Sequence, residues 1–218
     1  MARYQEKELP LRCTLRLQKK SSDTEAFIQG SLPLWQAAVK AGKLISGTVF
    51  ALDDQIFVYY EARESFHLDE YLPGIEEYVF LWPGQDKLRP YVPMIKYYQS
   101  MPMEKVRDWN REENTIPRIM VNRMNIDKLQ SYIYVHYLMQ EEQPGRNGRF
   151  FSIWGSEDWC VLYDQDNPKR PIDTDYQGQL TTHNLPEDRL VEYMMPHFHL
   201  WEDGKLQKRA EILLHVQE

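Results

Sequence analysis

Ile45–Tyr60, ISGTVFALDDQIFVYY, is two β-rich runs joined by a pair of aspartates. β-Branched and aromatic residues fill both runs, and aspartate is a turn former, so the stretch predicts a β-hairpin. A second stretch repeats the plan. Phe150–Tyr163, FFSIWGSEDWCVLY, bends near Ser156–Asp158, and VFALDDQIFVYY can be laid over IWGSEDWCVLYD without a gap. Each copy reads as a strand, an acidic turn and an aromatic-rich return strand. A chain with two such hairpins is most economically a tandem duplication.

The flanks support this. Ahead of the first hairpin, Leu11–Gln18 alternates, with Leu11, Cys13, Leu15 and Leu17 on one face, as a half-buried strand does. Ser22-Asp-Thr-Glu25 has the S-x-x-E form of a capping box and predicts a helix running to about Lys40, with Gly42 beyond its end. Pro33 lies inside that helix and should kink or break it. Ahead of the second hairpin, Arg118–Met124 predicts a strand, Ile126–Glu142 a helix and Gln143–Gly148 a turn. Turns are marked at Pro73-Gly74 and Pro83-Gly84. Arg89–Met101 and Arg189–Met195 then predict short second helices, each followed by proline, and Ala210–Val216 a closing strand. Glu104–Pro117 is charged and proline-ended and predicts a linker. Asp164–Glu187 is a polar, proline-containing loop, long enough to be a lid or a disordered tip. Strand–helix–strand–strand–helix–strand, twice, is the ferredoxin-like α+β plan. The expected fold class is α+β, with two ferredoxin-like halves, 1–112 and 113–218, packed sheet to sheet as a pseudo-dimeric α/β barrel.

Composition narrows the function. Hydrophobic residues make up 42% and aromatic residues 13%, enough for a folded core. A formal net charge of −7 argues against nucleic acid or an anionic membrane surface as partner. The N-terminus, MARYQEKELPLR, lacks the apolar run of a signal peptide, and no stretch approaches a membrane span. Two cysteines, Cys13 and Cys160, are too few for a disulfide scaffold or a cysteine-built metal site. A cytoplasmic protein is the expectation.

The chemistry centres on Asn125–His136, NIDKLQSYIYVH. As a helix it sets Leu129, Tyr132, Ile133, His136 and Tyr137 on one inward face. A phenol and an imidazole one turn apart can serve as an acid/base pair; a tyrosine-rich core would look the same. His197-Phe-His199, with His183 as a possible third ligand, could begin a metal site, contact a ligand, or sit at the core edge. No metal is expected. Asp53-Asp54 and Glu157-Asp158 are turn formers, and Trp35 and Trp109 are core anchors. Phosphate-binding glycine loops and a nucleophile elbow are absent, so no nucleotide cofactor is expected.

On these residues the halves resemble the dimeric α/β-barrel proteins, and within them the L-rhamnose mutarotase family. Asn125, Tyr132 and His136 stand where that family's helix carries its turn residue, tyrosine and histidine. Ser31-Leu-Pro33-Leu-Trp35 resembles the family's His-Asn-Pro-x-Trp segment, with Ser31 in the histidine's place and Phe27 in the tyrosine's. Tyr137-Leu-Met139 replaces the Asn-Pro-x-Trp continuation in the second half, and Met94-Ile95 and Leu190-Val191 stand where a tryptophan pair would be. The resemblance implies a mutarotase acting on a free monosaccharide without cofactor. His136 would shuttle the proton and Tyr132 hold a hydroxyl. Phe151, Trp154 and Trp159 would stack the sugar, with His197 and His199 as further contacts. It also implies one competent site, since Phe27 and Ser31 cannot titrate. A monomer (pseudo-dimer) or a homodimer would fit. The alternatives are a non-catalytic ligand-binding or interaction module, or a cofactor-independent monooxygenase-like enzyme of the same superfamily.

Overall fold

The computed structural model describes residues 11–99, 115–142, 151–166 and 195–218, with only the backbone for 138–142 and 166. The expected linker falls largely on residues outside these, as do the long loop after Asp166, most of the Arg189–Met195 helix, Trp109 and His183.

Two antiparallel sheets are built from eleven described strands. The first half contains β1 (Leu11–Gln18), β2 (Leu44–Leu52), β3 (Gln55–Ala62), β4 (Val92–Pro93) and β5 (Ile95–Gln99). The second contains β6 (Ile116–Met124), β7 (Phe151–Ser156), β8 (Trp159–Asp166), β9 (Phe198–His199), β10 (Lys208–Arg209) and β11 (Glu211–Gln217). Both hairpins form as read. They turn through two residues each, and Asp53 and Glu157, equivalent in the overlay, both take positive φ.

The first sheet runs β11-β2-β3-β1-β4 and the second β10-β6-β8-β7-β5, with β9 also on β6. Without the outermost β11 and β5, both have the first and third strands of a half side by side at the centre, as the ferredoxin-like plan requires. The fold is α+β, a ferredoxin-like arrangement made twice. The closing strand of each half is divided: β4 pairs with β1, but β5 pairs with β7; β10 pairs with β6, but β11 pairs with β2. The compact units are accordingly residues 1–94 with 211–218, and residues 95–210.

The helices agree with expectation at Pro33 and depart from it in two places. The break at Pro33 is complete: α1 (Thr24–Gly30) ends, Ser31 intervenes, and α2 (Leu32–Lys40) starts with the proline in its first turn, where a missing N–H costs nothing. The capping box is not made, because Glu25 pairs with Lys19 at 2.6 Å and Thr24 instead donates to the carbonyls of Ser21 and Tyr78. The helix expected over Arg89–Met101 is β4 and β5. Val92, Ile95 and the Tyr97-Tyr98 pair favour extended chain, and Pro93 is tolerated on a two-residue edge strand. The helical element of that stretch lies earlier, in α3 (Leu68–Tyr71).

Trp35 of α2 anchors the first core. It is fully buried, and its ring lies against Gly47 of β2, where a Cβ would stand 2.5 and 2.7 Å from ring carbons. No helix among the described residues is long and apolar enough to cross a membrane.

Candidate active site in the second half

The helix carrying Tyr132 and His136 begins as the sequence requires. Asn125 caps it by accepting the Asp127 N–H at 3.2 Å, a 3-10 turn follows at Ile126–Lys128, and α4 (Leu129–Glu142) continues. Tyr132 and His136 are buried, at 4% and 7% exposure, whereas Tyr137, expected inward, is 55% exposed. Residue 137 lies a further 100° round the helix from His136, which carries it off the stripe that faces the sheet.

Under α4 the sheet presents Phe151 and Ile153 of β7, Cys160 and Leu162 of β8, Met124 of β6, and Tyr97 and Tyr98 of β5, with Phe198 beside them. The Tyr132 and His136 ring centroids are 4.2 Å apart. Tyr98 meets His136 edge-on at 5.6 Å and Phe151 at 5.3 Å. Tyr97 and Phe198 approach Tyr132 edge-on at 6.5 and 5.3 Å.

The protonation states follow from partners and burial. His136 Nδ1 is 2.9 Å from the Tyr132 carbonyl oxygen, which can only accept, so Nδ1 carries the proton and Nε2 the lone pair. Nε2 makes no hydrogen bond among the described residues. Burial lowers the imidazole to about 4, opposed by the carbonyl bond and reinforced by nearby His197. Burial also holds the Tyr132 phenol well above its ordinary range. The Cys160 thiol, which donates to the Tyr132 hydroxyl at 3.7 Å, is pushed by burial up to about 12. Tyr97 is likewise raised, to about 12, by burial. At neutral pH the site holds a neutral base, neutral donors and aromatic walls, with no ion among these groups.

Of the residues singled out from sequence, Tyr132, His136, Phe151 and His197 come together. His197 Nε2 lies 2.5 Å from Ser131 Oγ, whose hydroxyl donates to the Lys128 carbonyl, and its ring is 5.9 Å from Tyr132. Trp154 and Trp159 do not join them. By strand alternation both project from the other face of the sheet, where Trp154 Nε1 donates to Ser152 and the Arg123 guanidinium covers Trp159 at 4.2 Å. His199 is exposed, because His197 ends a 3-10 turn while His199 lies in β9, and the two imidazoles do not share a face. Among the described residues no group of three or more metal-ligating side chains occurs.

Tyr97, Tyr98, Cys160 and Phe198 were missed. The first two were hidden by reading their segment as a helix. Cys160 could have been found from the hairpin overlay, which places it on the same face as Ile153 across the turn. In the first half, Phe27 stacks on Tyr78 at 4.3 Å and Ser31 donates to the Ile28 carbonyl at 2.6 Å, so neither offers a base.

No protein-family model and no curated protein sequence matches the chain. Three solved structures do. A Fusobacterium nucleatum subsp. nucleatum protein, provisionally named a monooxygenase, gives a TM-score of 0.50 at 6% identity, covering 97% of this chain and 96% of that one. The likeness is one of fold. A Lactobacillus acidophilus protein with the same provisional name scores 0.49 at 8% identity, over 96% and 97% of the two chains. An anthrone oxidase-like protein scores 0.42 at 9% identity, over 96% and 94%.

The name of the Fusobacterium protein is not that of a mutarotase, and the resemblance to the L-rhamnose mutarotase family is corrected accordingly, with the isomerase activity and the carbohydrate role it implied. What misled was a tyrosine and a histidine four residues apart on a helix over an antiparallel sheet. That spacing is one helical turn, available to any ferredoxin-like protein with an aromatic core. Of the three expected stacking residues only Phe151 joins the cluster, since the two tryptophans face away.

Proposed function

We propose that the second half is a small-molecule oxygenase that needs no resident cofactor and acts on a neutral, electron-rich aromatic substrate. One observation carries this reading: a buried imidazole with Nδ1 committed to a backbone carbonyl and Nε2 left as a bare lone pair among phenols. The provisional name of the Fusobacterium protein of similar fold agrees with it.

The chemistry suits a methylene flanked by aromatic or carbonyl groups. Nε2 removes one C–H proton, and the carbanion, delocalised over the rings, combines with dioxygen to form a C–O bond. The imidazolium returns its proton to the peroxide oxygen. Loss of the second C–H proton then expels water and leaves a carbonyl, so CH2 and O2 become C=O and H2O. The substrate is its own reductant. An imidazolium in this apolar site is stable only beside the anion it has just created, which keeps the proton paired and returns it.

The test is oxygen uptake with anthrone, wild type beside His136→Gln. Uptake above the buffer rate that falls at least a hundredfold in the variant is expected for loss of a general base. Uptake no faster than buffer, or equal in both proteins, rejects the reading.

A further inference from the structure

Tyr97 and Tyr98 are successive residues of one strand, yet both lie against the helix-facing side of the second sheet. Ordinary alternation would send one of them to the opposite face. The register explains the exception. Lys96 pairs with Trp154 and Tyr98 with Ile153, so Tyr97 is an extra residue in a bulge. Bulges re-aim side chains and are common beside active sites. Here Tyr98 is turned onto His136 and Phe151, and Tyr97 onto Tyr132.

The sheet makes room for Tyr97. A Cβ on Gly155 of β7 would run into the Tyr97 ring and hydroxyl, so glycine is required there for the phenol to lie flat on the strand. Tyr97 is half-buried on an edge strand, reachable from solvent, and its hydroxyl makes no hydrogen bond among the described residues. Because burial raises that phenol, it stays a donor at neutral pH. In the first sheet the corresponding place beside β2 is held by β11, which sends Leu214 and Val216 inward and supplies no hydroxyl.

We propose that Tyr97 is a ligand-contacting hydrogen-bond donor at the edge of the site, facing a carbonyl-type acceptor on the ligand. His136, one helical turn from the Tyr132 ring that Tyr97 meets edge-on, takes the ligand's acidic proton through Nε2 at the other end. This rests on the reading of the second half as a small-molecule site and adds the ligand's polarity. The ligand class is a flat, uncharged molecule with an acceptor at one end and a proton donor at the other. The donor is delivered by a strand from the first half of the sequence, so neither half alone carries the complete site.

Three probes test it by calorimetric titration of the full chain: 1-tetralone (acceptor only), 1-naphthol (donor) and naphthalene (neither). Removing one neutral hydrogen bond should weaken 1-tetralone about five- to tenfold in Tyr97→Phe, leaving naphthalene within about twofold. Gly155→Ala, which displaces the ring, should reproduce the loss for 1-tetralone, and His136→Leu should weaken 1-naphthol instead. Wild-type affinity for 1-tetralone in Tyr97→Phe, with 1-naphthol still sensitive to His136→Leu, overturns the role of Tyr97 and leaves the site standing. If no probe binds the wild type, both fall.

Discussion

Acid should destabilise this protein through His136 in particular. The imidazole titrates at about 4 in the fold against 6.5 when unperturbed. The lowered value means that the folded state prefers the neutral ring, so as pH falls below 6.5 the unfolded chain takes up the proton first. The stability contributed by the neutral ring is complete above about pH 6.5, drains as pH falls toward 4, and is exhausted below it. At 1.36 kcal/mol per unit, the 2.5-unit difference amounts to roughly 3 kcal/mol in full, of which about 2 kcal/mol is lost by pH 5. Urea unfolding of wild type and His136→Gln at pH 7.5 and pH 5.0, followed by tryptophan fluorescence, isolates this from the other histidines. The wild type should lose about 2 kcal/mol more than the variant between the two pH values. Equal losses would refute the burial argument, because a ring able to reach water would titrate near its ordinary value.

Three further outcomes are expected. Gly47→Ala should cost about 1–3 kcal/mol in urea unfolding, since the fully buried Trp35 ring has nowhere to move; an unchanged midpoint would contradict that packing. Thr14→Val should stabilise by about 1 kcal/mol, because the Thr14 hydroxyl is buried without a hydrogen-bond partner among the described residues, and a loss of that size would reveal one. Cys160 should resist a disulfide reagent at pH 8 until urea is added, given its burial and a thiol pushed up to about 12, whereas half-buried Cys13 reacts earlier; equal rates for both would contradict the burial of Cys160.

Much of the fold was legible because it is written in local patterns. The two hairpins declare themselves through β-branched and aromatic runs around acidic turns, and the overlay even pairs the positive-φ positions Asp53 and Glu157. Pro33 and Asn125 mark a helix break and a helix start by chemistry internal to a few residues. The failures came where a segment's neighbours are distant. Val92–Gln99 is short and interrupted by proline, so its periodicity does not decide between helix and strand; its partners, β1 and β7, lie far along the chain. The site divides the same way. Tyr132 and His136 could be paired from helical spacing alone, but Trp154 and Trp159, which the resemblance implied as their companions, face away.

By itself the sequence determined the repeated strand–helix–hairpin order, the antiparallel α+β plan, the helix that carries Tyr132 and His136, and the absence of a second imidazole at Ser31. These depend on local periodicity, turn chemistry and composition. The tertiary structure alone decided which strand closes which sheet, that a bulge turns Tyr97 and Tyr98 to the same side, and that Cys160 meets the Tyr132 hydroxyl. It also decided the state of His136. A histidine in a sequence is a base near neutrality, and only burial under α4, with Nδ1 tied to a carbonyl, makes it a neutral ring with one free lone pair.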